Sequence, residues 1–354
     1  MTPEDVKDGR VAKRSEGANA AGARSVLIYS GQDQIGDGII KLPFLHACRA
    51  RFPGAHITWL SGLGKTVYAG LLKDAAAPFV DEVIECASVG KSPGELLLPR
   101  AIVRKRHFDV IIDTQRLVLR TLILKRLSHG QFVSGTAGFM FSDTRPEKGN
   151  GSPRSFSAYL MQLLDLAAPP AVPDPAFAMP LASRVNEAAA ALLPEGPVYI
   201  GFSPGAGDKS KCWPLDNFIE LARKQKDQGR MPVFFLGPDE KDWLAPLASA
   251  VPDALFPEWN RLDPYGDVKG PLLVMALAAR LKAAVANDSG TGHMLAVGGA
   301  PLVSIFAKHD PKKYAPGARL LEVVDAKDYG GVDASLVPIA AVEEALNRLL
   351  ARAG

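Results

Sequence analysis

Cysteine is scarce in this 354-residue chain. Only Cys48, Cys86 and Cys212 occur, and no CxxC pair is present. An odd, scattered set of three excludes a disulfide framework and a Cys-rich structural zinc site, and it suits a reducing compartment. No run of 18 apolar residues appears, so no segment reads as a membrane-spanning helix. Charge of a single sign is also missing. Lys and Arg number 41 against 38 Asp and Glu, a net charge of +3, which argues against a dedicated nucleic-acid binder. No Asp-x-Asp and no HExxH occur, so the common metal–diphosphate and zinc-protease motifs are absent. Residues 1–24 mix both charges without an apolar stretch and read as a disordered polar arm rather than a secretory signal.

Short apolar runs alternating with amphipathic stretches make up the rest. Ser25–Ser30, His56–Leu60, Glu82–Glu85 and Asp109–Asp113 read as strands of a first half, with helical patterns at 94–107 and 117–128. Five prolines between Ala167 and Pro180 then break the alternation. It restarts with strands at 197–202, 232–236, 283–286 and 301–306 and helices at 214–228, 271–281 and 338–352. Strands alternating with helices predict parallel sheets covered on both faces. Two such halves predict two Rossmann-like domains facing a central cleft. The expected limits are 25–168 for the first domain, 169–182 for a Pro-rich linker and 183–337 for the second. A C-terminal helix over 338–354 is expected to pack back on the first. Ligands of such sheets bind at the carboxyl ends of the strands, so the loops there carry the functional reading.

Gly62-Leu-Gly-Lys-Thr66 resembles the end of a phosphate loop, but Trp59 stands where the first glycine is needed, and a helix start with an exposed lysine is expected. Gly205-Ala-Gly-Asp-Lys-Ser210 is an incomplete dinucleotide fingerprint. In Gly31-Gln-Asp-Gln-Ile-Gly-Asp-Gly38, Asp37 falls at a helix start. It fits an N-cap and also a general base. Ser203-Pro-Gly-Ala-Gly207, followed by Lys209, Lys211 and Trp213-Pro214, offers small residues, lysines and a helix start, the ingredients of an anion site. Asn287-Asp-Ser-Gly-Thr-Gly-His293 has more polar groups than one cap needs and suggests a second anion-binding turn. Glu240 follows a neighbouring strand and could accept from a ribose.

Four of these stretches together resemble glycosyltransferase family 9, the lipopolysaccharide heptosyltransferase family. They are Ile35-Gly-Asp-Gly…Pro43, Asp109-Val-Ile-Ile-Asp-Thr-Gln115, Pro204-Gly-Ala…Lys211-Cys-Trp-Pro214, and Asn287–His293 followed by Phe306 and Asp310-Pro311. The resemblance implies a GT-B fold with the acceptor on the first domain and the nucleotide-sugar on the second. It implies an inverting, metal-independent enzyme without a resident cofactor. Its donor is a nucleotide diphosphate sugar, ADP-heptose by family default, and its acceptor a lipid-linked lipopolysaccharide core glycan. By the same resemblance Asp37 is the catalytic base. Gly36, Lys211, Glu240, Asp288, Ser289, Gly290, Thr291, Gly292 and His293 would bind the donor, and no residue a metal. A cytoplasmic location follows, with peripheral contact to the inner membrane through basic residues such as Arg100, Arg104, Lys105, Arg106, Lys125 and Arg126. Two departures fall in the acceptor half. Lys41 stands where the family usually has Ser or Thr, and Arg116 where it has Gly. They keep open a second reading, a sugar-nucleotide-binding protein without catalysis.

Overall fold

The computed structural model describes residues 22–147, 151–260 and 263–353, so the polar arm lies almost wholly outside the described residues. Two five-stranded parallel sheets form the frame. The first contains β1 (Ser25–Ser30), β2 (His56–Ser61), β3 (Glu82–Ile84), β4 (His107–Asp113) and β5 (Ser128–Ser134), in the order β3-β2-β1-β4-β5. The second contains β6 (Tyr199–Ser203), β7 (Met231–Phe234), β8 (Ala283–Asn287), β9 (Leu302–Phe306) and β10 (Leu321–Asp325), in the order β10-β9-β8-β6-β7.

The order reverses between β1 and β4 in one sheet and between β6 and β8 in the other. At such switch points neighbouring loops leave in opposite directions and open a crevice at the carboxyl ends of the strands. The central strands are buried on both faces. β6, β8 and β9 are buried throughout, which explains their continuous apolar runs.

The helix Ile35–Arg51 follows β1 directly and carries Asp37 in its first turn. Its inward face, Ile39, Leu42, Leu45 and Cys48, joins a core cluster that runs on into Met294 and Leu295 of the second half. The helices Phe156–Ala167 and Gly290–Val297 both pack against it. Gly38 allows one close approach. Tyr68 donates its hydroxyl to the Gly38 carbonyl at 2.6 Å, and a Cβ on Gly38 would collide with the Val67 side chain.

Several elements differ from the sequence expectations. The stretch 94–107 is not one helix. It is a 3-10 turn at Pro93–Leu96 and a helical turn at Ala101–Arg104, because Pro99 lacks the N–H that a continuous helix needs. Lys65 does not open a helix; Thr66 caps a 3-10 turn at Val67–Ala69. The Pro-rich stretch 169–180 forms neither helix nor strand. It is tied to the first half by Arg51, which pairs with Asp174 at 2.5 Å and donates to the Ala168 carbonyl at 2.8 Å. The helix Ile339–Arg352 packs on β8, β9 and β10 of the second sheet, not back on the first half. Its stripe of Val342, Ala345, Leu346 and Leu349 fills the second core with Val303 and Ile305.

Candidate functional site

Loops from both switch points meet between the sheets. On the second sheet, Asn287 ends β8 fully buried. It donates from Nδ2 to the Pro204 carbonyl at 2.7 Å and accepts from the Trp213 N–H at 3.0 Å. This polar residue is therefore a staple holding the two flanks of the 204–213 loop. Within the loop, Asp208 caps the turn Lys209–Lys211, accepting from the Ser210 N–H at 3.0 Å. Hydrogen bonds from Ser210 hold the Asp208 carboxyl down at about 2. The turn presents Lys211, with Nζ at 3.6 Å from Asp288 Oδ2. His309, from the loop after β9, brings Nδ1 to 2.6 Å from the same oxygen. Ser289 caps the helix Gly290–Val297 by accepting from the Gly292 N–H at 3.2 Å. The remaining N–H groups of that first turn have no intrahelical partner and carry the positive end of the helix dipole. Burial holds the His293 imidazole down at about 4, opposed by the Asp288 carboxylate, so the ring is neutral at physiological pH.

On the first sheet, the turn after β1 is braced from below. Asp33 accepts from Ser30 Oγ at 2.8 Å, Trp59 Nε1 at 3.1 Å, Thr66 Oγ1 at 2.9 Å and the Lys41 ammonium. Lys41 is thus buried beneath the loop and lines neither of the two cavities that Asp37 borders. Above it, Gln34 occupies the N-cap position without a side-chain cap bond, so Asp37 is not the cap. It sits in the first helical turn, half-buried, and its carboxylate has no hydrogen-bond or ion-pair partner among the described residues.

A cavity of about 520 Å³ separates these two groups. Gly36 and Asp37 face Lys211, Asp288, Ser289, Gly290 and His293 across it, and His309 and Tyr314 close the rim. A second cavity, about 360 Å³, opens on the other side of Asp37. Gln115 and Arg116 after β4, Arg154, Tyr159 and Lys313 line it. The Arg116 guanidinium lies over the Tyr159 ring, 3.8 Å from its centroid. Beneath, Asp113 accepts from the Gln115 N–H at 3.0 Å, Thr121 Oγ1 at 2.6 Å and Ser134 Oγ at 2.9 Å. Burial pushes its carboxyl up to about 6. Asp37 and Tyr314 belong to both cavities.

Of the residues singled out from the sequence, Glu240, Thr291 and Gly292 do not line the first cavity. The Gly292 N–H is taken by Ser289. Glu240 lies under the phosphate-type loop, where a Cβ on Gly205 would come within 2.5 Å of its carboxyl carbon. Burial and then Asp239 push that carboxyl up. Glu258 nearby is pushed up to about 7, by burial first. The Gly-x-Ser-x-Gly spacing at 201–205 is no nucleophile elbow. Ser203 is fully buried, and its Oγ has no hydrogen-bond partner among the described residues. His309, Tyr314, Arg154 and Lys313 join the site without a motif of their own. The one available signal is their position beside Asp310-Pro311 or, for Arg154, before the helix that carries Tyr159.

A family model described as glycosyltransferase family 9 (heptosyltransferase) matches residues 100–332. The chain belongs to glycosyltransferase family 9. Lipooligosaccharide heptosyltransferase 2 of Haemophilus influenzae is 28% identical to this family 9 chain over 176 residues, 46% of this chain and 50% of that protein. Lipopolysaccharide heptosyltransferase 2 of Escherichia coli K12 is 31% identical over 126 residues, 35% of each. The matched stretch thus spans half or less of these curated relatives. Among solved structures, a family 9 glycosyl transferase of Veillonella parvula superposes with a TM-score of 0.68 at 18% identity, over 93% of this chain and 98% of that one. ADP-heptose lipopolysaccharide heptosyltransferase II of E. coli gives 0.62 at 20% identity, over 93% and 99%. The fold of the family 9 chain is accordingly that of these two-domain GT-B proteins. No group of three or more His, Cys, Asp or Glu fit to hold a metal occurs among the described residues.

Proposed function

We propose that the chain transfers a sugar from a nucleotide diphosphate sugar to a hydroxyl of a lipid-linked, lipopolysaccharide-type glycan, with inversion and without a metal. Heptose on ADP is the donor suggested by the relatives' names. The observation that carries this reading is the unpartnered Asp37 carboxylate on the wall shared by two cavities. The donor diphosphate fits beside Lys211 and the helix start at Gly290, where charge and free N–H groups suit an anion. The acceptor fits the second cavity.

Asp37 then takes the hydroxyl proton as the oxygen attacks the anomeric carbon. The bond from that carbon to the diphosphate oxygen breaks on the opposite face. The electron pair leaves with the diphosphate, and Lys211 and the helix N–H groups stabilise it. Such preorganised donors are worth roughly 2.7–4 kcal/mol each where charge develops. Neutral His293 contributes hydrogen bonding, not charge.

Asp37→Asn keeps the shape and removes the base. Turnover of ADP-heptose with a core-glycan acceptor should fall roughly 10²–10⁴-fold, with ADP affinity, read by calorimetry, little changed. Activity of the parent protein should survive EDTA. Near-parental turnover in Asp37→Asn would remove the base assignment. ADP binding without any transfer by the parent protein would favour a sugar-nucleotide-binding protein instead. Loss on chelation, restored by Mg²⁺ or Mn²⁺, would overturn the metal-free step.

A further inference from the structure

The turn that carries Asp37 has little to hold it from within. Gly36 and Gly38 flank Asp37, and glycine is a poor helix former. Gln34 at the N-cap makes no side-chain cap bond, so the first N–H groups of the helix Ile35–Arg51 go without that anchor. A base needs a fixed position all the same, because a displacement of about 1 Å can cost roughly 10²-fold in rate.

The tie comes from below. Lys41 follows Asp37 by one helical turn and is buried. Helical side chains lean toward the helix start, and the Lys41 ammonium reaches back to Asp33, one residue ahead of the N-cap. Its Nζ also lies 3.2 Å from Ser30 Oγ at the end of β1, and 5.3 Å and 5.7 Å from the ring centroids of Trp59 and Phe156. Phe156 begins the helix Phe156–Ala167 and lines the second cavity. Asp33 in turn is held by Ser30, Trp59 and Thr66. The segment from Asp33 to Lys41 is thus closed into a loop, with Asp37 at its middle. Two charges taken out of water gain little net stability even when paired. Stability alone therefore does not account for a lysine at this depth.

We propose that the buried Asp33–Lys41 ion pair is a positioning device, which fixes the first helical turn and so holds the Asp37 carboxylate on the wall between the two cavities. Neither Asp33 nor Lys41 lines those cavities, so both act through Asp37. The effect on catalysis rests on the reading of Asp37 as the base; the effect on the turn does not.

The test replaces the pair with neutral isosteres. Lys41→Met alone leaves the Asp33 carboxylate buried and unpaired, and should lower the melting temperature by roughly 10 °C. Asp33→Asn/Lys41→Met removes both charges and keeps the shape, and the asparagine oxygen still accepts from Trp59 and Thr66. This double variant should regain most of the lost melting temperature. Its kcat should nevertheless stay roughly 10²-fold below that of the parent. Donor KM and ADP affinity should be unchanged, since Lys211 and Asp288 stand on the facing wall. Hydrogen exchange of the full chain, read by mass spectrometry on the peptide 33–42, should become several-fold faster, with the peptides of β6 and β8 unchanged. A purely structural pair predicts instead that turnover returns with the melting temperature. Parental kcat in the double variant overturns the proposal. So does parental exchange over 33–42, and so does a loss of ADP affinity in proportion to kcat. If the parent chain transfers no sugar, the enzymatic reading fails and exchange decides alone. Faster exchange over 33–42 then supports the tie, and parental exchange overturns it.

Discussion

Lys211 and the His309 ring converge on one oxygen of Asp288, the lysine at 3.6 Å and the ring at 2.6 Å. A bound diphosphate would take over the lysine while the ring stays on the carboxylate. Lys211→Ala removes a charge-assisted contact typically worth roughly 1.5–3 kcal/mol. ADP affinity by calorimetry should fall about 10- to 150-fold, while adenosine affinity should hardly move. Lys209→Ala, two residues earlier at the start of the same turn and outside the cavity lining, should matter much less. Equal effects from both lysines would mean that the anion sits elsewhere. His293 makes a different prediction. Its folded value of about 4 lies below the ordinary 6.5. Between those values the unfolded chain binds a proton that the folded chain refuses. Stability is therefore full above pH 6.5 and is lost as pH falls through the window, by up to about 1.4 kcal/mol per unit. His293→Gln should lose less melting temperature from pH 7 to pH 5 than the parent does. An equal loss in calorimetric scans would show that the ring takes up its proton in the folded protein.

The two helix starts behave as one element. A Cβ on Gly290 would lie 2.9 Å from Ile35 Cγ2, one residue from Gly36 and two from Asp37. A larger side chain there must push the helix that carries the carboxylate. Overpacking of this kind costs typically 1–3 kcal/mol. Gly290→Val should lower turnover at least ten-fold, with a melting temperature reduced by only a few degrees. Unchanged turnover would show that the helix start tolerates the shift. Such contacts also mark the limit of what the chain announces in one dimension. β1, β4 and β8 are legible because strands buried on both faces must be apolar throughout. The loops after β1, β6 and β8 are legible because glycines and polar groups crowd where a strand hands over to a helix. β5, Ser-His-Gly-Gln-Phe-Val-Ser, is not, because its exposed first half is polar at an edge. β10 is the other sheet's edge and lies half in solvent. The helix expected over 94–107 fails because periodicity ignores Pro99. Lys41 reads as a departure in the acceptor loop, yet its ammonium turns under that loop to Asp33, a partner eight residues earlier. His309 and Lys313 flank Asp310-Pro311 after β9, whereas Arg154 precedes the helix Phe156–Ala167 of the other half, and only the tertiary fold brings the two groups to one site.

Across the whole molecule, the wall between the cavities has thermodynamic consequences. Asp37 and Tyr314 face both compartments, and Asp37 rides on the helix that contacts both halves. Two ligands that share a wall can act on each other through it, and by linkage any such influence is mutual. If a glycan fragment in the smaller compartment raises ADP affinity by some factor, ADP must raise affinity for that fragment by the same factor. Titrating each ligand in the presence and absence of the other closes this cycle. Tyr314→Ala, which thins the partition without touching Lys211 or Asp288, should bring the factor toward one while each ligand still binds alone. A factor of one already in the parent protein would mean that the partition transmits nothing, and that the two halves recognise their ligands as separate receptors joined by a hinge.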